Sequence, residues 1–126
     1  LGGYSTTDVH RAVWGVDLIE QWLRLSFGLS ATAQPHPPAM FVAESLLPAP
    51  RSGRLVADGF LGPVAVDPHV VACRPWVFAR DGVAGVETGA PDWLGALLTR
   101  GDTRRAALRE LDRLSALVEP RLEPLG

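Results

Sequence analysis

Residues 1–28, LGGYSTTDVHRAVWGVDLIEQWLRLSFG, combine a glycine turn with one strongly patterned segment. Short polar side chains at positions 5–8 can accept hydrogen bonds from the free N–H groups of a starting helix. Gly28 stands where a helix C-terminus favours positive φ. Between these signals, apolar residues recur at helical spacing: Val9, Val13, Val16, Ile19, Leu23 and Phe27. The pattern predicts a single helix of about five turns, entered through the Gly2-Gly3 turn.

The Gly2-Gly3 turn has a chemical interpretation as well as a structural one. Backbone N–H groups of such a turn and of a helix N-terminus carry partial positive charge and suit a carboxylate, a phosphate or a tetrahedral oxyanion. Glycine also lets a ligand approach the backbone because it has no Cβ. Short glycine motifs recur often by chance, so the local sequence fits a flexible chain start at least as well as an anion site.

The remainder of the chain predicts a short linker and a sheet domain. Three prolines make residues 29–38 a linker, and residues 59–68 are expected to form a loop with one helical turn. Pro75 cannot donate to a strand ladder, so it predicts a sheet edge or a bulge. Strands are predicted at 39–47, 54–58, 70–78, 83–88 and 93–100, and a helix at 104–118.

This order predicts an α+β fold with a mainly antiparallel sheet, flanked by an N-terminal and a C-terminal helix. We divide the chain into residues 1–28 (glycine turn and helix), 29–38 (linker) and 39–126 (sheet domain). A chain of 126 residues is long enough for a real core.

Composition excludes several classes of function. A formal net charge of −2 gives no general attraction to nucleic acid or to an anionic membrane surface. No apolar run approaches the roughly 18 residues that a membrane span needs. The single cysteine, Cys73, predicts a buried, reduced thiol in a cytoplasmic protein. Lysine is absent, which excludes a lysine Schiff base or a phosphate-loop lysine within this chain.

Other reactive side chains form no convincing constellation. His36 stands alone between prolines, without the neighbours that a metal site requires, so no metal ligand is assigned within the chain. His10 and Asp17 lie five and twelve positions after Ser5 along the start of one helix, and this spacing gives poor geometry for the proton relay of a catalytic triad. Glu44 and Glu87 are expected to be exposed strand residues rather than catalytic carboxylates.

Several short motifs occur in an order that resembles a known family. These are Gly2-Gly3, then Gly15-Val16-Asp17-Leu18, then a segment ending at Gly28, and finally Gly101-Asp102-Thr103 before an Arg/Ala/Leu helix. They look like the region following the last metal-ligand motif of ATP-grasp carboxylate–amine ligases, chiefly the L-amino acid ligase branch and the biotin-carboxylase-like enzymes. The chain starts after the place where that family's metal-binding Glu, Asn/His and Arg should lie.

The resemblance implies a function and a set of site residues. It makes the chain the C-terminal part of an ATP-dependent ligase that joins a carboxylate, expected to be an amino acid, to an amine through an acyl phosphate. Gly2 and Gly3 would be the catalytic N–H donors, while Tyr4 and Ser5 would bind the substrate. ATP and magnesium are implied, with their ligands upstream of Leu1.

On this interpretation the rest of the ligase is the partner, and the isolated chain is inactive. A homodimer is left open. The alternative is a self-contained α+β module for binding or dimerisation, without chemistry of its own.

Overall fold

A computed structural model describes residues 5–125 of the chain. Within that range the strands form two three-stranded sheets, and all their pairings are antiparallel. The predicted α+β class is therefore confirmed. The elements in chain order are α1 (Thr6–Trp14), α2 (Leu18–Ser26), β1 (Phe41–Pro48), β2 (Gly53–Leu55), α3 (Gly62–Ala65), β3 (Val70–Pro75), β4 (Gly82–Val83), a 3-10 turn (Val86–Thr88), β5 (Trp93–Gly101), α4 (Arg104–Ser115) and β6 (Leu122–Glu123).

Strand β5 is the centre of the first sheet, whose order is β1-β5-β3. Its sequence is apolar at consecutive positions, as expected for a strand covered on both faces, and Ala96, Leu97 and Leu98 are completely buried. Helix α4 covers one face, where the Thr99 hydroxyl donates a hydrogen bond to the Ala107 carbonyl at 2.8 Å. A Cβ at Gly101 would lie 2.5 Å from the Ala107 nitrogen, so glycine permits this close packing.

Helix α1 lies on the opposite face of this sheet. Arg74 of β3 pairs directly with Ala96 of β5, so the two side chains share a face. Ala96 and Thr99 are three positions apart and therefore point to opposite faces, which places Arg74 away from α4. Helix α1 contacts β1 and β3 on this side.

The second sheet is small, with the order β4-β2-β6. Leu55, Val83 and Leu122 extend the same core that contains Leu97 and Leu114. The strand predicted at 54–58 is shorter than expected. The strand predicted at 83–88 is wrong beyond Val83, because residues 86–88 form a 3-10 turn in which the Thr88 hydroxyl donates to the Gly85 carbonyl at 2.8 Å.

The single helix predicted over residues 9–27 is wrong at its centre, where the chain breaks into α1 and α2. Gly15 ends α1 at φ 69°, and a Cβ there would lie 2.7 Å from Cδ2 of His36. Asp17 then caps α2, its carboxylate accepting from the N–H groups of Ile19 and Glu20 at 3.0 and 3.1 Å. The break between α1 and α2 is roughly one helical turn long. The apolar residues on its two sides therefore keep helical spacing, and the sequence pattern does not reveal the break.

The proline prediction in β3 is confirmed. Pro75 is the last residue of β3, which is an edge strand of the first sheet. Among the helices of residues 5–125, none combines the length and the apolar character needed to cross a membrane.

Candidate functional site

The candidate site predicted from the sequence lies at the start of α1. Gly2, Gly3 and Tyr4 lie outside the described residues, so Ser5 is the member whose surroundings are known. The Ser5 carbonyl accepts a hydrogen bond from the Val9 N–H at 3.0 Å, which places Ser5 immediately before the first turn of α1. The residue is fully buried, at 0% exposure.

The Ser5 hydroxyl is buried without a hydrogen-bond partner among the residues that the structure describes. It does not cap α1, although serine at this position commonly does. A buried hydroxyl without a partner costs about 1–3 kcal/mol relative to a satisfied one. Such groups are few in folded proteins, and each calls for a specific explanation, a bound ligand group being one.

Three residues after Ser5, Asp8 forms a bidentate ion pair with Arg74 of β3. Nε of Arg74 donates to Oδ2 of Asp8, and Nη2 donates to Oδ1, both at 2.7 Å. This two-pronged geometry is the strong, directional form of the carboxylate–guanidinium interaction. Asp8 is 8% exposed, whereas the Arg74 side chain remains 53% exposed and its Nη1 group takes no part in the pair.

The ion pair changes the ionisation of both partners. Hydrogen bonds from Arg74 hold the pKa of Asp8 below its ordinary value, despite the opposing effect of burial. The same bonds raise the pKa of Arg74. Asp8 also places negative charge in the first turn of α1, where the helix dipole favours it. The carboxylate therefore stays charged and fixes the start of α1 against β3.

A second ion pair fixes the junction between the two N-terminal helices. Nη2 of Arg11 lies 2.5 Å from Oδ2 of Asp17, the residue that caps α2. Hydrogen bonds from the Glu20 backbone N–H and from Arg11 lower the pKa of Asp17. The Gly15-Val16-Asp17-Leu18 motif thus forms the corner between α1 and α2.

The remaining candidate side chains make contacts that have a structural rather than a catalytic explanation. Nδ1 of His10 lies 2.8 Å from the Thr6 carbonyl and makes no hydrogen bond to Ser5, so the triad stays excluded. Cys73 is half-buried rather than fully buried as predicted, and this partial burial raises the pKa of its thiol. Glu44 is exposed, as predicted, and Glu87 accepts from the Ser52 N–H at 2.7 Å.

Residues 5–125 contain no group of three or more His, Cys, Asp or Glu side chains able to hold a metal ion.

A cavity of about 520 Å³ lies at the end of β3 that is far from Arg74. The side chains that line it include both positively and negatively charged groups. Next to it, Arg113 bridges Asp67 and Glu110 at 2.8 Å each. The lining side chains that carry ionisable groups are His69, Arg100, Asp102, Arg109 and Glu110.

Sequence reasoning missed Asp8 and Arg74. Asp8 looked like one of several interchangeable cap residues, and its partner is 66 positions away. A signal was nonetheless present, because Arg74 interrupts the apolar strand sequence VVACRPWVF. An arginine at such a position needs a carboxylate partner or solvent at its end.

Comparison with solved structures shows that the fold is shared with two ATP-grasp ligases. The L-amino acid ligase from Bacillus licheniformis matches at a TM-score of 0.76 with 13% identity, over 94% of this chain and 29% of that one. Phosphoribosylglycinamide synthetase from Anaerococcus prevotii matches at a TM-score of 0.72 with 12% identity, over 97% and 31%.

The chain therefore spans under a third of the length of each ligase, and at such low identity the likeness is one of fold. No protein-family model matches the sequence. No curated protein matches it either.

Proposed function

We propose that this chain is the C-terminal part of an ATP-dependent carboxylate–amine ligase, which forms an amide bond through an acyl-phosphate intermediate. The carboxylate substrate is an amino acid in this proposal. The shared fold supports it, since both structural neighbours are ligases of the ATP-grasp class. The observation that carries it to a site is the buried Ser5 hydroxyl, which has no hydrogen-bond partner among the described residues and lies two positions after Gly3 in the sequence.

The proposed chemistry of this chain is the stabilisation of negative charge. When an amine attacks an acyl phosphate, the carbonyl oxygen becomes an oxyanion. N–H groups of Gly2 and Gly3, fixed before the attack, would donate to that oxygen and lower the barrier. Ser5 would donate through its hydroxyl, and Tyr4 would line the pocket for the amino acid side chain.

Asp8 and Arg74 act as positioning residues in this proposal. Their ion pair holds the first turn of α1 against the sheet. In this proposal it would thereby position the donors that precede α1. A displacement of about 1 Å at such donors is enough to reduce turnover strongly. Neither residue is assigned a contact with substrate.

The residues of this chain do not by themselves fit an ATP and magnesium site. The sequence has no lysine to hold the phosphates, and residues 5–125 offer no cluster of metal ligands. The proposal places those ligands in the remainder of the ligase. The isolated chain is then expected to be inactive.

A non-catalytic α+β binding or dimerisation module is the second candidate. The observation that favours it is α2, whose apolar side chains are exposed within the described structure.

The coding DNA immediately upstream of the Leu1 codon tests the proposal directly. The expected result is an open frame of ATP-grasp length that ends in Glu-x-Asn/His-Pro-Arg just before Leu1. The polypeptide encoded by that frame together with this chain should release phosphate from ATP only when both an amino acid and an amine are present. An upstream frame of another kind, with no separately encoded ATP-grasp partner, would leave the binding module as the better interpretation.

A further inference from the structure

The cavity of about 520 Å³ at the start of β3 has no role in the proposed ligase chemistry. Its wall is formed by α4 and by one edge of the first sheet, where residues 39–40 precede β1, residues 68–69 precede β3, and residues 100–101 end β5. Its volume falls within the range of about 300–1,000 Å³ that is usual for small-molecule sites. The cavity is therefore large enough for a small metabolite.

Part of the charge in the wall is already neutralised by the protein itself. Glu110 is 13% exposed, and Nε of Arg113 donates to its carboxylate at 2.8 Å. Nη2 of Arg113 also donates to the Asp67 carboxylate at 2.8 Å, and Nδ1 of His69 lies 3.1 Å from the same carboxylate. Arg109 lies 3.6 Å from Glu110. These contacts fix this side of the wall before any ligand binds.

Two opposite charges in the wall are left without an ion pair. Nε of Arg100 donates to the Pro68 carbonyl at 3.1 Å, and its two Nη groups form no hydrogen bond within the described residues. Asp102 is exposed and has no ion-pair partner among residues 5–125. The cavity thus offers a ligand one guanidinium and one carboxylate.

The position and balance of these charges indicate the kind of ligand. Arg100 and Asp102 are two positions apart, so their Cα atoms are separated by at most about 7 Å, and one small molecule can contact both. The three arginines and three carboxylates in and directly behind the wall balance one another, which gives no net attraction for a simple anion or cation. Ala39, Met40 and Ala106 add apolar surface that suits an aliphatic side chain.

We propose that this cavity binds a zwitterionic amino acid or short peptide with an aliphatic side chain, its carboxylate on Arg100 and its ammonium group on Asp102. A guanidinium can donate two parallel hydrogen bonds to a carboxylate, and an ammonium group donates charge-assisted hydrogen bonds to a carboxylate. The whole wall lies within residues 39–110, so the site goes beyond the proposed ligase function and does not depend on it.

Isothermal calorimetry of the 126-residue protein tests the site with L-leucine and with L-leucyl-L-leucine. Two analogues are titrated beside them: N-acetyl-L-leucine keeps only the carboxylate, and L-leucinamide keeps only the ammonium group. At least one zwitterion should bind at millimolar concentration or below, about tenfold or more tightly than both analogues. Tighter binding of L-leucine identifies a free amino acid as the ligand, and tighter binding of the dipeptide identifies a peptide.

Substitutions within the wall test the two assigned contacts. Arg100→Gln and Asp102→Asn should each weaken binding of the better zwitterion about tenfold or more, because each removes one charge-assisted contact. Arg121→Gln and Asp112→Asn are the matched controls, since both residues are exposed and neither lines the cavity. Circular dichroism checks the fold of every variant, and Asp102→Asn breaks no ion pair within the described residues.

Three results would overturn the proposal: no binding of either zwitterion, equal binding of a zwitterion and a singly charged analogue, or binding to Asp102→Asn as tight as to the parent. The titrations contain no ATP and need no other part of a ligase. Their failure would therefore leave the proposed function standing, and failure of the ligase function would leave this site standing.

Discussion

Asp8 and Arg74, 66 positions apart in sequence, are joined by two hydrogen bonds of 2.7 Å each. Asp8 lies in the first turn of α1 and Arg74 lies in β3, so their ion pair connects the N-terminal helix to the sheet. Asp8 and Val13 are the two buried residues of α1, so a polar and an apolar side chain both attach the helix to the rest of the fold.

Asp8→Asn should destabilise the 126-residue chain by about 1–2 kcal/mol, since it weakens hydrogen bonds between charged groups of which one is half exposed. Urea unfolding measures this change. Arg121→Gln is the control, because Arg121 is exposed and forms no side-chain ion pair within residues 5–125, and its effect should stay within about 0.5 kcal/mol. Equal effects of the two substitutions would mean that the Asp8–Arg74 pair contributes no stability.

Ser5→Ala should separate stability from function. Removing a buried hydroxyl that has no partner relieves an unmet hydrogen bond, so the isolated chain should keep its stability or gain up to about 1 kcal/mol. In the complete ligase, the same substitution should lower kcat/KM about tenfold or more if the hydroxyl donates to the reacting centre. A loss of stability without a loss of turnover would remove Ser5 from the site.

Gly3→Val should reduce turnover of the complete ligase far more than it reduces stability. A branched side chain obstructs the approach of the reacting group to the backbone N–H, and losing one oxyanion donor costs roughly 10²–10³-fold in kcat. Steady-state kinetics and thermal unfolding should be measured on the same preparation. Normal kcat/KM in Gly3→Val would show that the oxyanion role is wrong.

Tyr4→Ala should change which amino acid the complete ligase prefers. If the Tyr4 ring lines the side-chain pocket, its removal enlarges the pocket and favours bulkier substrates. The measurement is the ratio of kcat/KM values across a series from alanine to tryptophan. An unchanged ratio across that series would place Tyr4 outside the pocket.

Asp67 should make stability depend on pH in the acid range. Hydrogen bonds from Arg113 lower its pKa from 3.8 to about 2, with a further contribution from the His69 backbone N–H. A carboxyl whose pKa is lower when folded stabilises the protein above its unfolded pKa. That stability is lost as the pH falls from about 4 to about 2.

Denaturation midpoints of the parent and of Asp67→Asn should therefore converge over this pH interval. Asp102→Asn is the matched control, because Asp102 is exposed and has no ion-pair partner among the described residues. Glu110 also bonds to Arg113, so the double variant Asp67→Asn/Glu110→Gln tests whether the two carboxylates act together. A parent–variant difference that stays constant down to about pH 2 would contradict the assigned pKa of Asp67.

The amino-acid sequence by itself determined the fold class and most of the elements. The apolar run of β5, the helical period of α4 and the proline at the end of β3 are local patterns, and each of them indicated its element correctly. The order of these elements predicted one mainly antiparallel sheet, and the structure has antiparallel pairing but divides the strands between two sheets. The motif order predicted a likeness to ATP-grasp ligases, which the shared fold bears out.

Tertiary structure alone decided which side chains meet. The apolar period runs through Gly15, so only the packed structure shows that α1 ends there and that Asp17 begins a new helix. The Asp8–Arg74 pair depends on the placement of α1 against β3, which no local pattern specifies. The exposure of the apolar side chains of α2 likewise depends on tertiary structure, since the linker contacts the other side of the helix. Amphipathic spacing predicts that one face of a helix is buried, but it does not identify the segment that covers that face.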